Sequence, residues 1–286
     1  MYKFIVTILF ISNSYCIGAQ ELNTSLLWEI TGKNLKQPSY LFGTFHLLCE
    51  SDFSVTPILK EKISSSKQFF GEIDLSKDNW QQEAMMLMIL KGSTLEQLMD
   101  SADYTKAKIK FKEITGMELS LFNNFKPFMA MSLLALGTLD CPSKIQPETE
   151  FLKIAQENHI PSLGLETIAD QMAAIDEQPI REQIRSFKES LFNYDSVKQG
   201  MQQMLLLYKK KNIDSLYAYI KANGGNDDFE TALLTNRNKR WMPVILKAME
   251  NKKCFFAVGA GHLAGNNGII NLLKEEGYTV RPIKFE

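Results

Sequence analysis

Two short apolar runs constrain this chain more than any other feature, because each ends in the same phrase. Near the start the chain reads Leu41-Phe42-Gly43-Thr44-Phe45-His46-Leu47, and near the end Ala257-Val258-Gly259-Ala260-Gly261-His262-Leu263. Both have the form apolar-apolar-Gly-x-x-His-Leu, and together they hold two of the three histidines. Such a run reads as a buried strand, with glycine letting the backbone turn or approach another group closely at its end. In sheets covered by helices, ligands bind in the loops beyond the carboxyl ends of the strands. Positions 46 and 262 are therefore expected at the ends of two core strands, where they would mark a site.

The rest of the chain alternates in texture. Residues 26–31 and 39–45 read as strands joined by a Gly32-Lys33-Asn34 turn, residues 56–65 as a helix and residues 68–74 as a third strand. From 79 to 157 the period is helical: residues 80–90 carry Met85, Met86 and Met88 as core filling, Thr94 looks like an N-cap, and residues 128–139 read as a buried helix. Residues 160–165 return to strand. A second helical block spans 179–249, with breaks expected near Gly200 and at Gly224-Gly225. Strand 255–258, helix 266–276 and strand 279–283 close the chain. The expected fold is α/β: a central mixed sheet (core about 25–75, 160–175 and 250–286) with helical insertions (about 78–158 and 178–249) between its strands.

Residues 1–19 read as a secretory signal: a basic residue at Lys3, an apolar stretch over 4–11, and small residues at Gly18 and Ala19. Lipid attachment at Cys16 is the lesser alternative, since bulky Tyr15 precedes it. No later stretch is apolar enough to span a bilayer, so residues 20–286 are expected as one exported domain, periplasmic or extracellular. A net charge of −1 gives no basic footprint for nucleic acid. Lys209-Lys210-Lys211 reads as a solvated helix end. Export makes Cys49 and Cys141 candidates for a disulfide, with two unpaired thiols as the alternative, and Cys254 reads as a buried free thiol.

Two acids sit where acids are costly. Glu72 lies in Phe69-Phe70-Gly71-Glu72-Ile73, and Glu166 ends Leu163-Gly164-Leu165-Glu166. A carboxylate at a buried strand end must be paired, protonated or metal-bound. Two imidazoles and a carboxylate on neighbouring strand ends suit a divalent transition metal, with zinc, manganese, cobalt and iron indistinguishable. An ion there would lower the pKa of bound water towards neutrality. The bland alternatives are a hydrogen-bonded core histidine, a salt-bridged Glu72, and Glu166 serving the next helix. His159 closes a helix before a strand and needs no catalytic role. The Gly259-Ala260-Gly261 run looks superficially like a dinucleotide fingerprint, but too little chain follows it for that fold.

Leu27-Trp28-Glu29-Ile30-Thr31, the first GxxH phrase, Gly164-Leu165-Glu166-Thr167 with Gln171, and the terminal GxxH phrase together resemble the TraB/PrgY/GumN family. That family includes the Tiki metalloproteases and is related more distantly to erythromycin esterase and ChaN-like proteins. The resemblance covers almost the whole expected mature chain, with specific motifs at both ends. It implies a site of two GxxH motifs and a strand-end glutamate, matched by Gly43, His46, Glu72, Gly259 and His262, and an Arg-Asn pair matched by Arg237 and Asn238. Tiki-like members imply metal-dependent peptide cleavage; ChaN-like relatives imply haem binding. The resulting expectation is an exported metal-dependent hydrolase acting on a peptide or small molecule. His46, His262 and Glu72 would be ligands or, for Glu72, the base. Glu166 would be an alternative acid, and Arg237 would neutralise developing oxyanion charge or pair with a glutamate. Gly261 and Asn238 would support the site. The alternative is a non-enzymatic haem- or peptide-binding protein using the same cleft.

Overall fold

The computed structural model describes residues 24–224 and 227–285, so the expected signal segment and Cys16 lie outside the described residues. Among the described residues the strands are β1 (Leu27–Thr31), β2 (Ser39–Thr44), β3 (Leu48–Cys49), β4 (Gln68–Gly71), β5 (Lys144–Ile145), β6 (Ser162–Gly164), β7 (Cys254–Gly259) and β8 (Thr279–Ile283). Six form one mixed sheet in the order β6-β4-β7-β2-β1-β8, and β3 pairs with β5 in a separate two-stranded ribbon. β6, β4, β7 and β2 run parallel, while β1 is antiparallel to both β2 and β8. The two central strands, β7 and β2, contain the two apolar runs, and every residue of each is buried. A strand covered on both faces needs such a run rather than an alternating pattern. Their register sets Tyr40 against Phe255 and Thr44 against Gly259, so the two GxxH phrases emerge side by side.

Helices fill the gaps between the strands, from β4 to β6 and from β6 to β7. Helix Pro147–Glu157 lies against the sheet through Phe151, which is fully buried and packs edge-on against Phe42 and Phe255 at ring separations of 5.1 and 5.8 Å. Phe70 stacks on Phe256 between β4 and β7 at 5.1 Å. A second, smaller apolar cluster (Leu95, Phe111, Leu134, Phe187 and Leu191 among its members) holds helices of both insertions together, apart from the main core.

Four expectations are corrected. Met85 and Met86, read as core filling, are 49 % and 65 % exposed. The third strand stops at Gly71, leaving Glu72 beyond its end. The helix expected over 128–139 is Pro127–Leu136, and it is not buried all round: only Pro127, Ala130 and Leu134 are, while Leu136 is exposed. Gly200 does not break the second block, because helix Tyr194–Lys209 runs through it and the break falls at Asn193; Gly224 does end the next helix, Ile213–Asn223.

Candidate functional site at the strand ends

Each of the four parallel strands delivers a polar residue just past its carboxyl end: His46 after β2, Glu72 after β4, Glu166 after β6 and His262 after β7. The β4–β6 pairing continues beyond the strands through Glu166 N–H donating to the Glu72 carbonyl at 3.0 Å, which places the two acids side by side. Glu72, His262, Arg237 and Asn238 are buried, whereas the His46 side chain is 63 % exposed. The site therefore has a closed floor and one open flank.

The floor is built around Arg237, first residue of helix Arg237–Met249, which follows a widened helical turn over Thr231–Asn236. Widened turns of this kind often mark functional positions. Arg237 Nη2 donates to Glu72 Oε2 and to Glu166 Oε1, each at 2.6 Å, and Nε donates to Glu166 Oε1 at 2.9 Å. Trp241, one turn on, donates its indole N–H to Glu166 Oε2 at 3.0 Å. Both Glu166 oxygens are thereby occupied, and Glu166 reaches the site as the counter-ion of Arg237. Arg237 pairs with both of the carboxylates that sequence reasoning offered it.

Glu72 Oε1 accepts the Gly259 N–H at 2.7 Å, and Oε2 also accepts from Gln171 at 3.2 Å. Burial alone would push the Glu72 pKa up; the Arg237 guanidinium, the imidazoles and the Gly259 N–H outweigh it and hold the carboxyl well below the usual carboxylate range. Oε1 lies 3.7 Å from His46 Nε2 and 3.8 Å from His262 Nε2. Glycine at 259 makes this approach possible: a Cβ there would stand 3.2 Å from both Glu72 Oε1 and His46 Nε2. Gly43 has a different reason, since its Cβ would meet Leu263 Cδ1 at 2.6 Å where the phrases pack together. Gly261 packs beside Ile220 and Leu234.

The two imidazoles are held differently. Asn238 donates its amide N–H to the carbonyls of His262 and Asn267, at 3.1 and 2.8 Å, so its Oδ1 faces His262 Nδ1 as an acceptor at 2.7 Å. Nδ1 must then carry the proton, and Nε2 presents a lone pair to Arg237 Nη1 at 3.2 Å. Burial lowers the His262 pKa to about 3; the Glu72 charge opposes this, and Arg237 adds to it. Trp241 covers the ring at a centroid separation of 4.4 Å. His46 Nδ1 instead donates to Glu148 Oε1 at 2.5 Å, and Thr44 Oγ1 donates to the same oxygen at 2.5 Å. The protein packed around the covered side of His46 works against its charge, but the attraction of Glu148 and its hydrogen bond outweigh it and raise the pKa to about 9. Glu148 is lowered in turn: burial opposes this, and the His46 charge and hydrogen bond prevail.

Glu148 is the residue that sequence reasoning missed. It sits in the first turn of helix Pro147–Glu157 beside Glu150, and an acid there reads simply as a complement to the helix dipole. Exposed His159, beyond that helix, is not part of the cluster. The structure joins Cys49 to Cys141 with their Cα atoms 5.9 Å apart, and Cys254 is buried and free. A cavity of about 340 Å³ is lined by Leu47, the residue after His46, and by Lys144, Ile145, Gln146, Thr149 and Glu150.

Among the described residues, no group of three or more His, Cys, Asp and Glu side chains stands ready-made as a metal cage. The strand ends do carry imidazole nitrogens and carboxylate oxygens, the donor types that divalent transition ions take. Two imidazole nitrogens lie within 3.8 Å of one carboxylate oxygen, and that of His262 also faces Arg237 Nη1. No helix among the described residues is long and apolar enough to cross a membrane.

The sequence profile of the TraB/PrgY/gumN family matches residues 26–282, nearly the whole chain, and the chain belongs to that family. It is similar to the metalloprotease TIKI2 of Danio rerio, 23% identical over 92% of this chain and 62% of that protein. It is also similar to the metalloprotease TIKI1 of Homo sapiens, 24% identical over 91% and 62%, and to the metalloprotease TIKI homolog of Nematostella vectensis, 21% identical over 92% and 68%. The chain thus spans a little under two thirds of the length of the first two. No solved structure matches the chain.

Proposed function

We propose that this member of the TraB/PrgY/gumN family is an exported, metal-dependent hydrolase that cleaves peptides. The observation that carries the reading is the approach of both GxxH imidazoles to one oxygen of Glu72, at 3.7 and 3.8 Å. His46, His262 and Glu72 would hold the ion. When bound, a divalent transition ion supplies Lewis acidity and brings the pKa of water towards neutrality. Glu72 suits the ligand role better than that of general base, because a carboxyl held so far below its usual range is a weak proton acceptor. Arg237, fixed by Glu166 and Trp241, offsets the buried charge of Glu72 and holds its Oε2, which leaves Oε1 turned towards the two imidazoles. Substrate would enter from the His46 flank, where the cavity beside Leu47 and Ile145 offers room for a side chain. The Cys49–Cys141 bond supports an oxidising compartment, periplasmic or extracellular.

The test is cleavage of a peptide library by the purified mature chain, with and without a chelator, with zinc, manganese, cobalt or iron added back. Metal-stimulated cleavage is expected, and Glu72→Gln should lose metal affinity and turnover together. Turnover reduced by about 10²–10⁴ with metal retained would make Glu72 the base instead. No metal-stimulated cleavage, with a Soret band on haem titration, would favour the binding-protein reading.

A further inference from the structure

The proposed site uses His46 but leaves unexplained the buried carboxylate behind it. Glu148 and Glu150 occupy the same first turn, and their surroundings differ. Glu150 is 30 % exposed and pairs with Lys153 on the helix surface, as an acid serving only the helix dipole would. The Glu148 side chain is 12 % exposed and turned inward, where one oxygen accepts from both Thr44 and His46. The helix imposes this direction. Phe151, three residues on and hence on the same face, is anchored among Phe42 and Phe255 on the sheet, which aims Glu148 at the end of β2. A second restraint fixes the spacing. β3 follows directly after His46 and pairs with β5, which directly precedes this helix, and the Cys49–Cys141 bond closes the same junction.

We propose that Glu148 is a positioning residue for His46, holding the ring so that Nδ1 is committed to the carboxylate and Nε2 faces Glu72. A carboxylate can only accept, so Nδ1 must donate, and Nε2 is left as the nitrogen on the site side, 3.7 Å from Glu72 Oε1. Thr44, on the strand that delivers His46, donates to the same oxygen and fixes the carboxylate in turn. The arrangement is a carboxylate–imidazole pair of the kind that orients metal-binding histidines and strengthens them as donors. This inference rests on the proposed reading of His46 as a metal ligand.

The test compares the mature chain with its Glu148→Ala, Glu148→Gln and Glu150→Ala variants. Zinc affinity is measured by competition with a chromophoric chelator, and nitrogen NMR of the metal-free imidazoles reports the Nδ1 proton of His46. Glu148→Ala should weaken zinc binding about 10–100-fold and release the Nδ1 proton to rapid exchange. Glu148→Gln keeps an acceptor oxygen and should retain the protected proton with a smaller loss of affinity; it also serves should the alanine variant misfold. Glu150→Ala should match the parent in both measurements. Unchanged zinc affinity and an unchanged Nδ1 signal in Glu148→Ala would overturn the proposal while leaving the metal reading intact. If the parent itself binds no zinc, the metal reading fails, and the NMR comparison alone decides whether Glu148 holds the ring.

Discussion

His46 and His262 leave adjacent parallel strands in the same four-residue phrase, yet one side chain is 63 % exposed and the other 4 %. Their Nδ1 partners differ as much. A carboxylate faces His46 and raises its pKa; an amide faces His262, and burial lowers its pKa. The restraints differ too. The His46 phrase is tied from outside, by the disulfide and the β3–β5 ribbon, whereas His262 is enclosed by Arg237, Asn238 and Trp241. The motif sets where each imidazole emerges, and a partner distant in the chain sets its charge. A repeated phrase therefore need not mean a repeated environment: one imidazole is enclosed and held towards its neutral form, the other is accessible and held towards its charged form, and both face Glu72.

If the two halves are restrained separately, they should fail separately. Removing the Cys49–Cys141 bond, which spans 92 positions, should cost about 4–5 kcal/mol in the chain-entropy view. Hydrogen exchange after reduction should rise around residues 44–50 and 141–149 and stay low around 259–263. Equal loss of protection in both regions would erase the distinction. Arg237→Ala should cost about 3–5 kcal/mol in urea unfolding, because Glu72 and Glu166 are left charged and buried without their cation. A cost of about 1 kcal/mol or less, as for an exposed pair, would show that the floor is wetter than its burial indicates.

The smallest effect is the most selective. The folded-state pKa of His262 lies below its ordinary value of about 6.5, so its contribution to stability is complete above about 6.5 and is lost as pH falls towards 3. That of His46 lies above, so its contribution is complete below about 6.5 and is lost as pH rises through about 9. In unfolding midpoints followed across pH, His262→Gln should flatten the acid limb and His46→Gln the alkaline limb. Both variants flattening the same limb would contradict the assignment of neutral and charged rings.

Much of the fold and site is legible in the amino-acid order alone, and the exceptions have physical reasons. The all-apolar runs ending at Gly43 and Gly259 identify the central strands, and Glu72 stands out as an acid among phenylalanines. Arg237 and Asn238 are found through family resemblance, since an arginine and an asparagine at a helix start carry no signal of their own. Glu148 is invisible because Pro-Glu is an ordinary helix opening; only the folded chain shows that Phe151 turns that face inward. The helix at Pro127–Leu136 misleads because it is apolar on every side, and only one side meets the second cluster. Gly200 misleads because a glycine in a helix interior costs only about 1 kcal/mol, which packing on either side readily offsets.

The proposed function depends on both phrases serving one ion. Zinc bound per chain after equilibrium dialysis, for the purified parent protein and for His46→Ala and His262→Ala, tests it most directly. The account predicts one ion per chain in the parent and loss of tight binding in each variant. Tight binding that survives either substitution, or no binding in the parent, would contradict it.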